Sequence, residues 1–132
     1  MKLTKDDALE LASCFREVAI QLGNYLEDNW SNLGPSQRQE LQNEEFTLLN
    51  ASSQMRTKAV GILLDEEEVS FAKLQGAARK AKTAMKKIKK VAQVLELAGG
   101  VVGLAAAILS RDLGAIVTNA KAVYDAASTL SA

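Results

Sequence analysis

The chain has 132 residues, 48% of them apolar and 5% aromatic, with one proline, one cysteine and no histidine. That length suits one domain with a sizeable core, and the composition excludes disulfide frameworks, structural zinc sites and histidine-based acid–base or nucleophilic chemistry. The formal charge is zero but unevenly placed: residues 1–70 carry six basic and thirteen acidic groups, residues 71–132 ten basic and three acidic, or −7 against +7.

Alanine and leucine supply most of the apolar mass, a mixture that favours packed helices over strands. The first helix is predicted over residues 5–30. Thr4 is placed to cap it, and Asp6, Asp7 and Glu10 suit the positive end of its dipole. Ala8, Leu11, Ala12, Phe15, Val18, Ala19, Leu22 and Leu26 recur at steps of three and four, which makes one buried stripe. Gly34-Pro35 ends it. Cys14 lies beside the stripe, and a free cysteine there reads as a small core residue.

A second helix is expected over residues 36–64, with Leu41, Leu48, Met55, Ala59 and Ile62 inward and Phe46, Leu49, Val60 and Leu63 flanking. Ser52 falls where a core residue belongs, and Gly61 weakens the end. The acidic run 65–68 then serves as linker and first helical turn, and Glu44 and Glu45 read as solvated carboxylates.

The third helix is predicted as one long element over residues 68–98, about 45 Å at 1.5 Å per residue. Phe71, Leu74, Ala78, Ala81, Met85, Ile88, Ala92 and Leu95 form a seam of coiled-coil periodicity. Lys73, Arg79, Lys80, Lys82, Lys86, Lys87, Lys89 and Lys90 decorate the polar arc around it. They read as a solvated face partly neutralising the acidic half, as a docking face for an acidic protein, or as a contact for anionic lipid. Nucleic acid is disfavoured, because no aromatic residue is interleaved for stacking.

Gly99-Gly100 is expected to end or bend this helix. The uncharged run 97–109 follows, too short to span a bilayer, which takes about twenty residues. With Gly99, Gly100, Gly103, Leu104, Ile108 and Leu109 on one arm and Leu113, Ile116 and Val117 on the other, it forms an apolar hairpin with a polar tip at 110–112, where Ser110 or Asp112 caps the last helix, 113–130. Gly99 and Gly103 stand in GxxxG spacing. In hydropathy alone, and without any specific motif, the hairpin resembles the buried hairpins of helical pore-forming proteins. The plainer reading is a core helix buried all round.

The sequence therefore predicts an all-α fold: an antiparallel four- to five-helix bundle with one long heptad-patterned helix and a C-terminal apolar hairpin. It predicts no enzyme, cofactor or metal, and a non-catalytic interaction module that binds a protein or its own copy through the seam. A membrane-active bundle using the basic helix and the hairpin is the alternative. The start of the chain turns acidic where a signal peptide would be apolar, so the expected location is cytoplasmic, with signal-less export left open.

Overall fold

The computed structural model describes residues 5–57 and 71–131, without the side chains of Phe71, Leu130 and Ser131. Among the described residues there are five α-helices and no strand: α1 Lys5–Asp28, α2 Pro35–Thr57, α3 Phe71–Met85, α4 Val91–Ser110 and α5 Leu113–Ser131, with a 3₁₀ turn at Trp30–Asn32 between the first two. The all-α bundle expected from composition and periodicity is what forms. Thr4, the end of the second predicted helix with Ala59 to Leu63, and the acidic run 65–68 lie outside the described residues.

Several helix ends have a local cause. Asp6 and Asp7 sit in the first turn of α1, where carboxylates favour the dipole. Pro35 opens α2 with its φ already helical, and Gln37 Oε1 accepts the Gly34 N–H at 3.0 Å. α4 closes in a Schellman turn: Arg111 N–H reaches Ile108 O, and Asp112 N–H reaches Ala107 O, each at 3.1 Å. Arg111 takes the left-handed conformation there, φ 60° and ψ 34°. Asp112 Oδ1 then accepts the Ala115 N–H at 3.1 Å and caps α5, as one of the two residues proposed for that role.

Direction follows from which residues meet. Ser52 Oγ donates to Ala12 O, and the Glu45 carboxylate lies over Gly23, so α1 and α2 are antiparallel. Glu10 receives Gln75 and Arg79 while Tyr25 Oη donates to Lys89 O, so α3 runs with α1. Lys80 meets Tyr124 and Ser128 while Ala72 and Gly76 lie near Val117 and Ala120, so α5 runs with α3. Gly100 faces Val123 and Gly103 faces Asn119, which makes α4 and α5 antiparallel. The helices close a ring in the order α1, α2, α4, α5, α3. A single apolar cluster drawn from all five, including Leu11, Phe15, Leu22, Leu41, Leu48, Leu74, Leu97, Leu104, Ile108 and Ile116, fills it.

Three expectations change. The predicted long helix is two: it breaks at residues 86–90, where Lys87 N–H bonds back to Ala84 O at 2.9 Å. Lysines at 86, 87, 89 and 90 would stack like charges at helical spacing. The turn instead exposes all four while Ile88 goes into the core, 7% exposed. The second change is that Gly99-Gly100 does not end a helix but lies inside α4. Gly100 is there for closeness: a Cβ on it would stand 3.3 Å from Val123 Cγ2. Third, the neighbours of α3 in the ring are α1 and α5, both parallel to it, where the sequence predicts an antiparallel bundle.

Candidate interaction surfaces

The seam forms but is consumed by the fold. Leu74, Ala78, Ala81, Met85 and Ile88 are buried in the molecule's own core. Beyond the break, Ala92 is exposed and Leu95 only half-buried, so the pattern does not continue into α4 as one stripe. The side chain of Phe71 lies outside the described residues. No uncovered seam among these residues is left for a partner.

The basic residues separate into two groups. Along α3, Arg79 pairs with Glu10, and Lys80 Nζ stands 4.6 Å over the Tyr124 ring while donating to Ser128 Oγ at 2.9 Å. Lys82 is half-buried, and Lys73 is exposed and has a partner of its own. Lys86, Lys87, Lys89 and Lys90 form the other group, all exposed on the turn between α3 and α4. Among the described residues Arg79–Glu10 is the ion pair joining the acidic and basic halves. Among the described residues the neutralisation expected of the lysine face shows in that contact, and Asp7 and Lys73 each hold a further interaction.

The apolar hairpin is α4 and α5. Leu104, Ile108 and Ile116 are fully buried, Leu109, Leu113, Val117, Gly100 and Gly103 half-buried, and Gly99 exposed. The GxxxG pair does not act as one: Gly99 faces Glu44 of α2, whereas Gly100 and Gly103 face α5. Helix α4 extends from Val91 through Glu96, so it is longer than the uncharged run suggests. By length and composition alone it could cross a membrane, but 44% of its most apolar eighteen-residue stretch is buried inside the bundle. Eight of its side chains, from Val94 to Ile108, belong to the core.

Sequence reading missed two features. Glu44 is half-buried between α2 and α4, with Oε2 enclosed and without a hydrogen-bond partner. Desolvation, helped by the charge of Glu40 one turn away, pushes its carboxyl up to about 7. The adjacency of Glu44 and Glu45 hid this: Glu45 turns toward Gly23 of α1 and Glu44 toward Gly99 of α4.

The other is an apolar edge on the α1–α2 hairpin. Among the described residues six large apolar side chains stay exposed: Leu9, Ile20, Trp30, Phe46 and Leu49 belong to this hairpin or its turn, and Tyr124 lies on α5. Phe46 is 65% exposed. Ile20 stands one turn before Gly23 and Phe46 follows Glu45, so the contact of Glu45 with Gly23 brings the two level on one outer face. Leu49 lies one turn beyond Glu45 on the same side, and Leu9 three turns before Ile20. The periodicity assigned Phe46 and Leu49 to the margin of a buried stripe. Read again, each is a large apolar residue off the core face of a helix whose other outward positions are polar. Tyr124 of α5 is likewise outside, 45% exposed under Lys80.

Between α3 and α5 a shallow groove of about 560 Å³ has Ala72, Gly76, Val117, Ala120 and Tyr124 along it and Lys73, Lys121 and Asp125 at its rim. Among the described residues no cluster of carboxylates and thiol is arranged to hold a metal ion. Cys14 is buried, and that burial raises its thiol pKa. Comparison with protein-family models, with curated proteins and with solved structures finds no match for this chain.

Proposed function

We propose that the protein is a non-catalytic helical interaction module that docks a protein on the outer face of the α1–α2 hairpin, with a second copy of itself as the first partner. The observation that carries this is Phe46, 65% exposed and grouped with Ile20 and Leu49. Single exposed apolar residues are ordinary, but a group of them on one face marks a contact surface. Arg16 precedes Ile20 by one turn and Arg56 lies two turns past Leu49, while Glu27 and Glu45 supply the opposite sign on the same side. A face carrying both charges around an apolar centre can meet its own copy about a two-fold axis without like-charge cost. This replaces the buried seam as the contact while keeping the class of function.

The α4–α5 hairpin supports membrane insertion less well. Leaving the bundle would strip α4 from α2 and α5 and expose core residues such as Leu97, Leu104 and Ile108 to water before lipid could cover them.

Light scattering across a concentration series tests the proposal. The wild-type chain is expected to associate, and Phe46→Glu to remain monomeric with an unchanged melting temperature, since the ring stands mostly in solvent. A wild-type chain that stays monomeric at millimolar concentration would remove the second copy as partner. Association that persists in Phe46→Glu would remove the edge.

A further inference from the structure

One end of the bundle gathers exposed positive charge and the single tryptophan. The hydrogen bond from Tyr25 Oη to Lys89 O, 3.0 Å, ties the last turns of α1 to the 86–90 turn. Trp30 and the lysine turn therefore share one end of the molecule. Trp30 is 45% exposed, and Arg38 covers one side of it: the guanidinium carbon is 4.5 Å from the ring centroid, and Nε and Nη2 both donate to Trp30 O. Lys86, Lys87, Lys89 and Lys90 are exposed beside α4's first residue, and no carboxylate among the described residues lies within ion-pair distance of them. Glu27 and Asp28 in the last turn of α1, and Glu40 two residues past Arg38 on α2, set three negative charges against these five positive ones.

From this arrangement we infer that this end, Trp30 with Arg38 and the 86–90 lysines, is a peripheral contact for a phospholipid membrane bearing anionic headgroups. All four lysines are exposed in the turn at the end of the bundle, whereas a continuous helix would have carried them along its side, crowded at helical spacing. The break in the predicted long helix is what places these four charges at one end of the molecule. Tryptophan is the side chain that settles at the headgroup level, its ring in the acyl boundary and its N–H in water. Lysine stems of four carbons lie along that boundary while their ammonium groups meet phosphate and carboxylate oxygens. Nothing needs to unfold: the contact uses the exposed end as it stands and leaves α4 in the core. It is separate from the Phe46 edge, which lies along the side of the hairpin and stays free when the end is seated.

The chain contains one tryptophan, so its fluorescence reports on this end and on nothing else. Purified protein is mixed with phosphatidylcholine vesicles, pure or with about 30% phosphatidylserine, and followed by flotation and by Trp30 emission. Binding is expected with the mixed vesicles only, accompanied by a blue shift and by quenching from brominated lipid. It should fall steeply between about 0.05 and 0.5 M salt. Each Lys→Gln change at 86, 87, 89 or 90 should weaken binding roughly fivefold, and Trp30→Gln should weaken it without altering the salt dependence. Circular dichroism confirms that each variant keeps its helices. Three outcomes would overturn the inference: no flotation with the mixed vesicles, flotation with unchanged Trp30 emission, or a polyglutamate or single-stranded oligonucleotide that binds more tightly than the vesicles in equal salt.

Discussion

At the scale of single residues, chemistry concentrates where a polar group meets the apolar helix α4. Glu44 is the clearest instance, with a carboxyl pushed to about 7 from an ordinary 4.5 by desolvation and by Glu40. Because the folded state raises this pKa, folding favours the protonated form. The penalty is absent below about pH 4.5, grows as pH rises toward 7, and is complete above it. Glu44→Gln should therefore raise stability at about pH 8 by roughly 1–2 kcal/mol, allowing for solvent around a half-buried group, and change little at about pH 4.5. Thermal melts of both proteins at the two pH values check this; equal shifts at both would show that the gain is not electrostatic. Ser52 shows the opposite use of a polar atom. It looked like a misfit in an apolar stripe, yet it is 2% exposed and its hydroxyl donates to Ala12 O at 2.9 Å, clamping α2 to α1. Ser52→Ala should cost about 1 kcal/mol in chemical denaturation. Neither role was legible, because a one-dimensional pattern says which face a residue takes but not which atom waits across the interface.

At the scale of the element, what the sequence could show was periodicity, and it failed where two demands met in one stretch. The stripe of α1 was read residue for residue: every position assigned to it is core, while Leu9 and Ile20 of the same helix, which were not assigned to it, are exposed. The seam from Leu74 to Ile88 was also correct as a list of buried residues, although it does not belong to a single helix. Heptad spacing carries through a turn by accident when the turn itself buries one apolar residue, as it does at Ile88. Like-charge crowding at 86–90 was the available sign of a break, and it was outweighed by the more familiar signal of two glycines at 99 and 100. Glycine marks close approach as readily as a break. Gly100→Leu should cost about 1–3 kcal/mol by forcing α4 from Val123, whereas Gly99→Ala, whose Cβ would meet only Glu44 Oε1 at 3.9 Å, should be neutral or stabilising. The C-terminus of α4 offers a cleaner test. Arg111 holds a left-handed conformation that glycine adopts without cost, so Arg111→Gly should raise stability by about 1 kcal/mol with the Schellman bonds intact. Denaturant melts measure both sets.

At the scale of the whole molecule, the question is what joins an acidic half to a basic one. Charge separation of −7 and +7 suggests attraction, but the structure offers little of it at close range. The Arg79–Glu10 pair is more than half exposed on the arginine side, and exposed pairs contribute about 0–1 kcal/mol. The two halves instead share one apolar cluster in which Leu11, Phe15, Leu22, Leu41 and Leu48 from the first meet Leu74, Leu104 and Ile108 from the second. Burial of such side chains is worth several times as much as a screened ion pair. Leu104→Ala, at a site with 0% exposure, should therefore cost about 2–5 kcal/mol, against less than about 0.5 kcal/mol for Arg79→Ala. Adding about 0.5 M salt should move the wild-type melting temperature by no more than a few degrees. Urea denaturation of the two variants, with wild-type melts in low and high salt, decides between the causes. If Arg79→Ala rivals Leu104→Ala, or if salt melts the protein, electrostatics hold the halves together and the charge split is structural. If burial dominates, as the packing indicates, the charges are left unspent at the surface, and the lysine turn is available for a partner.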